Sequence, residues 1–222
     1  MNNLYAIYGT GGCARSVMPL LKNKVKNKDS SNSRSICYID DNKNSDLIND
    51  TKVISFKNLL ELKSSYKKIF ISIAIADPKI RIKLYKRIKE NNFEFLNLKS
   101  SNALIMDDVS IGEGYIISPF VTLTSNIRIG KCFHANLYSY VEHDCQIGNF
   151  VTFAPGVKCN GNVVIEDNVF VGSGAIIKNG TDKNKIVIGS GSIIGAGSII
   201  LNNVKKNTTV VGNNGRIISD RN

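Results

Sequence analysis

From Ile105 onward the chain repeats every six residues. Ile105, Ile111, Ile117, Leu123, Ile129, Ala135, Val141, Ile147, Phe153, Cys159, Ile165, Val171 and Ile177 are all apolar, with one thiol among them. In a sequence that is 42% hydrophobic, thirteen such hits in a row arise by chance on the order of once in 10⁵. The residue two places before each is also apolar or small, as at Val109, Tyr115, Val121, Ser139, Cys145 and Ala175. Glycine follows the repeated position at Gly112, Gly130, Gly148 and Gly172. The phase slips once, at a polar loop over Gly180–Lys185, and resumes as Ile188, Ile194 and Ile200. A six-residue unit fits one flat face of a parallel β-helix, and three units make one triangular coil. The repeated residue then points inward and stacks on its equivalents in neighbouring coils. Turns between faces are expected to favour Gly, Asn and Asp, which tolerate positive φ. An ordinary β-sandwich would need period two and hairpin turns, and the sequence has neither.

The first hundred residues follow another pattern, in which strand-like runs alternate with helix-like stretches. Leu4–Tyr8 reads as a strand, followed by Gly9-Thr-Gly11-Gly12-Cys-Ala14 and a helix from Arg15 to Lys24. Ile36–Ile39 is a second strand ending in Asp40-Asp41, and Val53-Ile54 a weak third before a helix over Phe56–Leu62. Ile69–Ile75 is a continuously apolar strand, Pro78 opens a helix running to Asn91, and Phe95-Leu96 begins a last short strand. This alternation predicts a small parallel α/β domain covered on both faces. The polar stretch Asn23–Arg34 is expected on the surface. The fold class expected is thus an N-terminal Rossmann-like α/β domain over 1–100 and a parallel β-helix over 101–222.

Charge divides along the same boundary. Residues 1–100 carry 19 Lys/Arg and 9 Asp/Glu, against 10 and 9 in residues 101–222. The overall +11 therefore belongs almost wholly to the first half. No stripe of basic and aromatic residues accompanies it, so nucleic acid is set aside in favour of a phosphorylated small molecule. No apolar run reaches the roughly 18–20 residues of a membrane span, and the N-terminus has no signal-peptide layout. The five cysteines form no CxxC pair, so neither a disulfide framework nor a zinc ribbon is expected, and a cytoplasmic location is.

The hexads, taken with Tyr8-Gly-Thr-Gly-Gly12, Tyr38-Ile-Asp-Asp41, Val141-Glu-His-Asp-Cys-Gln-Ile-Gly148, Cys159-Asn-Gly-Asn-Val163 and Ile193-Ile-Gly-Ala-Gly-Ser198, carry a resemblance. The chain resembles the left-handed β-helix, or hexapeptide-repeat, sugar acetyltransferases. These include sialic acid O-acetyltransferases and the N-acetyltransferases of nucleotide-linked 4-amino-4,6-dideoxysugars. The resemblance covers essentially the whole chain. It implies a left-handed coil, acetyl-CoA as co-substrate, a nucleotide-linked amino sugar as acceptor, a homotrimer, and a place in surface-glycan biosynthesis.

Acyl transfer from a thioester needs a base that works near neutral pH, and histidine suits that task. The chain has two, His134 and His143. His143 stands two past the inward Val141, so it can project from a coil corner; His134 precedes the inward Ala135 and reads as structural or interfacial. Asp144 follows His143, and a carboxylate on one ring nitrogen fixes the tautomer. The resemblance implies that His143 is the general base and Asp144 its orienting partner. It also implies that the amide of Gly161, one coil further on, lies near the thioester carbonyl as an oxyanion donor. The small residues Ser173, Gly174, Gly195, Ala196 and Gly197 would line the pantetheine arm. Thr152 stands where some relatives place a histidine against the thioester.

In the first domain Gly9, Gly11, Gly12 and Cys13 lie between a strand and a helix, where backbone N–H groups can meet a phosphate. Cys13 replaces a histidine found in many relatives. Asp40 or Asp41 can accept from a ribose or base, and Arg81 can meet a phosphate or form a salt bridge. Read alone, the glycine loop also fits an NAD-dependent enzyme, although about 100 residues are few for the usual six-strand double unit. Other readings are a sugar O-acetyltransferase, a non-catalytic nucleotide-binding scaffold, and a γ-type carbonic anhydrase. The last needs three histidine zinc ligands, and the chain has only two histidines.

Overall fold

The computed structural model describes residues 2–26, 36–42, 45–213 and 216–220. They form two compact units, Met1–Ala76 with Ile80–Leu98, and Asp77–Lys79 with Lys99–Asn222. Together they are an α/β domain and a left-handed parallel β-helix.

The first unit is a six-stranded sheet in the order β3-β4-β2-β1-β5-β6. Its strands are β1 (Leu4–Tyr8), β2 (Ile36–Ile39), β3 (Leu47–Ile48), β4 (Thr51–Ile54), β5 (Ile69–Ile73) and β6 (Glu94–Phe95). All pairings are parallel except the short β3–β4 hairpin. Helix α1 (Gly12–Lys26) buries Ala14, Val17, Met18, Leu21 and Val25, the spacing of one helical face. Helix α2 (Phe56–Glu61) starts at Ser55, whose hydroxyl accepts from the Asn58 amide. Helix α3 (Pro78–Glu90) buries Leu84 and Ile88. The expected elements are present with ends shifted by a few residues. The sheet reaches six strands because β3 adds a two-residue strand that was not expected, too short to carry a periodic signal. Of the stretch Asn23–Arg34, residues 23–26 belong to α1 and the rest lies outside the described residues.

In the second unit three sheets form the faces of a triangular prism. The first face contains Ile116–Ile117, His134–Ala135, Thr152–Phe153, Phe170–Val171 and Ile193–Ile194. The second contains Leu104–Ile105, Thr122–Leu123, Tyr140–Val141, Lys158–Cys159 and Ile176–Ile177. The third contains Val109–Ile111, Ile127–Ile129, Gln146–Ile147, Val163–Ile165 and Ile186–Ile188. Successive strands of a face pair in parallel, so Val141 lies between Leu123 and Cys159. The repeated positions are buried from Ile117 onward; Ile105 and Ile111, where their ladders end, are half-buried.

The corners meet the expectation in part. The third residue after the inward position takes a left-handed conformation at Asp108, Phe120, Asn126, Cys132, Tyr138, Asp144, Phe150, Asn162 and Asn168, with φ of 50–65°. Asp and Asn take five of these nine turns, as expected, while phenylalanine, tyrosine and cysteine take the other four. Such a backbone costs an L-residue about 1–2 kcal/mol. At Phe120 and Tyr138 part of that is offset by ring stacking, with centroids 4.9 Å apart and planes within 9°. Phe150 and Cys132 are instead buried.

Inside the prism Phe153 meets Phe133 edge-on at 5.3 Å, both wholly buried. Phe153→Ala is expected to lower unfolding stability by about 3–5 kcal/mol, as read from urea denaturation.

Candidate active site

The corner between the second and third faces stacks Ser125-Asn126, His143-Asp144 and Gly161-Asn162 in successive coils. The His143 side chain is 53% exposed, and its Nδ1 lies 2.7 Å from Asp144 Oδ2. With Nδ1–H donating to the carboxylate, Nε2 is the nitrogen left to take a proton. The bond from Asp144 raises the His143 pKa above its ordinary value of 6.5; partial burial opposes this, and the nearby Glu142 charge adds to it. The Asp144 carboxyl is held below its ordinary range, first by His143 and then by Asn126. The backbone under the pair is fixed as well. The Asn162 amide donates to the His143 carbonyl at 3.0 Å, and Asp144 donates to Ser125 O at 3.1 Å. The buried Cys145 thiol donates to Asn160 O at 3.3 Å.

Gly161 lies directly beneath the imidazole. A Cβ there would stand 2.5 Å from His143 Cε1 and 2.6 Å from Nε2, so only glycine leaves room for this ring position. Its amide is already used, donating to Glu142 Oε2 at 3.1 Å. The expected oxyanion donor is thus bonded to a carboxylate in this state, and the geometric role of Gly161 is to seat the ring.

The residues expected to line the pantetheine arm stand at another corner. Ser173-Gly174 and Gly195-Ala196-Gly197 join the first face to the second. Gly174 and Gly197 have φ of 68° and 67°, and no atom lies within 4 Å of a Cβ built on either, so the backbone there is open. Gly195 is closed by comparison, since its Cβ would meet Val211 at 2.8 Å. Thr152 lies mid-strand on the first face, which is opposite the His143 corner, and is 2% exposed. Within one chain it does not join His143. His134, its neighbour on that face, is buried too.

In the first unit, Gly9 has φ of 110° and passes so close to the end of β5 that a Cβ would meet Ile75 at 3.0 Å. Gly11 and Gly12 face open space at the start of the 15-residue α1. Asp40 bonds within this crest, accepting from the Thr10 hydroxyl and from the Asn42 amide at 3.0 Å. Asp41 turns away from it. It accepts from Tyr8 at 3.0 Å, from the Phe56 amide at 2.8 Å and from Arg87, whose guanidinium lies 3.9 Å over the Phe56 ring. Burial pushes the Asp41 carboxyl up, but these three donors outweigh it and hold it below its ordinary range. Asp41 is therefore tied into a structural hub. Arg81 is corrected: it is wholly buried and donates to Ile75 O at 2.9 Å and Ala76 O at 2.8 Å, closing the loop after β5. Cys13 is half-buried, its thiol pushed up by burial against the opposing Arg81 charge.

Sequence reasoning passed over Thr10, Glu142, Asn126 and Arg87. Thr10 and Glu142 adjoin the motifs and were findable by position. Asn126 and Arg87 reach their partners only through the fold. Among the described residues no group of three His, Cys, Asp or Glu is placed to hold a metal ion.

Residues 5–88 match the family model described as the PglD N-terminal domain. Over 187 residues the chain is 44% identical to a GDP-perosamine N-acetyltransferase from Escherichia coli O157:H7, covering 84% of this chain and 83% of that protein. The solved structure of WeeI from Acinetobacter baumannii AYE superposes with a TM-score of 0.93 at 40% identity, over 98% of this chain and 100% of that one. PerB from Caulobacter crescentus, solved with CoA and GDP-perosamine, has a TM-score of 0.84 over 97% of each chain. At 22% identity that likeness speaks for the fold alone.

Gly161 does not hold a left-handed backbone, so alanine is tolerated there apart from its contact with the ring. Gly161→Ala is expected to leave the melting temperature within a few degrees of wild type while displacing the imidazole. NMR titration would then find the His143 pKa moved down toward its ordinary value as the Asp144 bond is lost.

Proposed function

The chain belongs to the left-handed β-helix sugar acetyltransferase family that contains the GDP-perosamine N-acetyltransferase, and we propose that it transfers the acetyl group of acetyl-CoA to the amine of a nucleotide-linked amino sugar, with His143 as general base. The observation that carries the mechanism is the solvent-facing His143–Asp144 pair at 2.7 Å. Acetyl-CoA supplies an activated thioester carbonyl. His143 Nε2 takes the proton from the sugar amine as its nitrogen bonds to the acetyl carbon. Asp144 keeps Nδ1 protonated and stabilises the imidazolium that forms. His143 then returns that proton to the departing CoA sulfur, which restores the neutral ring. General-base help of this kind is worth about 10²–10⁴ in rate.

Acceptor binding falls to the first unit. The exposed main chain of Gly11 and Gly12 at the start of α1 suits a diphosphate, and Asp40 suits a ribose hydroxyl or base edge. An amine acceptor is favoured over a hydroxyl by the 44% identity to an N-acetyltransferase along most of both chains. A 4-amino-4,6-dideoxyhexose for a surface glycan is the acceptor class we assign, and the cytoplasm the compartment.

Acetyl-CoA would lie along the prism, with the open backbone at Ser173-Gly174 and Ala196-Gly197 against its pantetheine arm. These residues and His143 occupy different corners of one chain. A homotrimer that sets the small-residue corner of one subunit beside the His143 corner of the next would complete the site. Light scattering is expected to give three times the 24.4 kDa chain mass.

His143→Ala is expected to abolish transfer to GDP-, UDP- or dTDP-linked amino sugars while leaving CoA binding, measured calorimetrically, largely intact. Full turnover by that variant would overturn the mechanism. For the wild type, a base must be deprotonated to act, and the folded His143 pKa is raised. The acidic limb of kcat/KM is therefore expected above pH 6.5, the ordinary value. Asp144→Asn removes the cause of the elevation, so that limb moves to lower pH while the plateau falls.

A further inference from the structure

Asn126 stands one coil before Asp144 at the same corner, and both hold a left-handed backbone, with φ of 54° and 59°. Its Nδ2 donates to Asp144 Oδ1 at 3.2 Å, leaving Oδ2 for His143 Nδ1 at 2.7 Å. The carboxylate is thereby held at both oxygens, one by the coil before it and one by the ring beside it. The Asp144 main chain is pinned separately, its amide on Ser125 O at 3.1 Å and its carbonyl under Lys185 Nζ at 3.4 Å.

We propose that Asn126 is a positioning residue of the active site, whose side-chain amide sets the rotation of the Asp144 carboxylate and through it the orientation of His143. The terminal torsion of an aspartate is broad, and this one lies on an exposed corner, so the ring alone fixes only one oxygen. A neutral donor on the other oxygen removes the freedom to rotate without adding charge. Asparagine also suits the left-handed corner, since its short polar side chain tolerates positive φ. The argument rests on His143 being the base.

Two variants test it, each compatible with the backbone at this corner. Asn126→Asp sets a second carboxylate against Asp144, and Asn126→Gly removes the side chain. The charged or titratable groups around the ring are Glu142, Asp144 and Cys145, with Lys185 behind Asp144. Against that background an added negative charge favours the imidazolium. For Asn126→Asp, NMR titration of the His143 ring and the acidic limb of kcat/KM should both move to higher pH, with KM for acetyl-CoA little changed. Asn126→Gly should lower kcat roughly 10-fold, through misplacement of the base, with an unchanged melting temperature. Wild-type kcat in Asn126→Gly, with an unmoved His143 titration in Asn126→Asp, would overturn the role of Asn126. A His143 titration that moves while the rate profile stays fixed would support the contact and overturn His143 as the base.

Discussion

Val141 lies on Leu123 in the coil before and is covered by Cys159 in the coil after. The same relation, repeated at 18-residue steps along three faces, builds the prism. Each inward side chain is buried by its equivalents, so the hydrophobic gain of about 1.5–3 kcal/mol per large aliphatic residue is collected only when the coils stay in register. Register in turn decides which corner a residue occupies. His143 reaches solvent because Val141 points inward, and it seats over Gly161 because that residue is one full coil away.

The site that results gets its base strength from a partner rather than from burial. His143 is largely exposed, and desolvation opposes its raised pKa. The carboxylate of Asp144 does the work, and Asp144 is itself held low by His143, Asn126 and Lys185. In such a water-accessible setting a fixed hydrogen bond matters more than a long-range charge, because exposed charges are screened while a bond sets an orientation. The same distinction separates the aspartates of the first unit. Asp40 remains among the crest residues, whereas Asp41 is bound into Tyr8, Arg87 and the start of α2.

Most of the fold was legible in the sequence because it rests on periodicity, which a single chain displays. The hexads marked the inward residues, and the βαβ alternation marked the first unit. The left-handed Asp and Asn corners were legible, whereas those at Phe120 and Tyr138 were not, since stacking rather than intrinsic preference supports them. His143 and Asp144 were legible through adjacency and hexad phase. The used amide of Gly161 and the burial of Arg81 were not. Each depends on which neighbour a side chain or amide meets in three dimensions, and neither composition nor spacing records that.

The polar loop at Gly180–Lys185 breaks the hexad phase but leaves the stack intact. Ile165 pairs with Ile188, 23 residues on instead of 18, and the next ladder resumes with Val171 against Ile194. A corner thus lets the chain change length without shifting the strands on either side, because the pairing depends on the coils and not on the path between them. That separates two kinds of evolutionary freedom within one fold. Inward positions are held to size and polarity by every neighbour in their ladder. A corner can accept inserted residues and, as Lys185 does beneath Asp144, deliver a new side chain to an existing site.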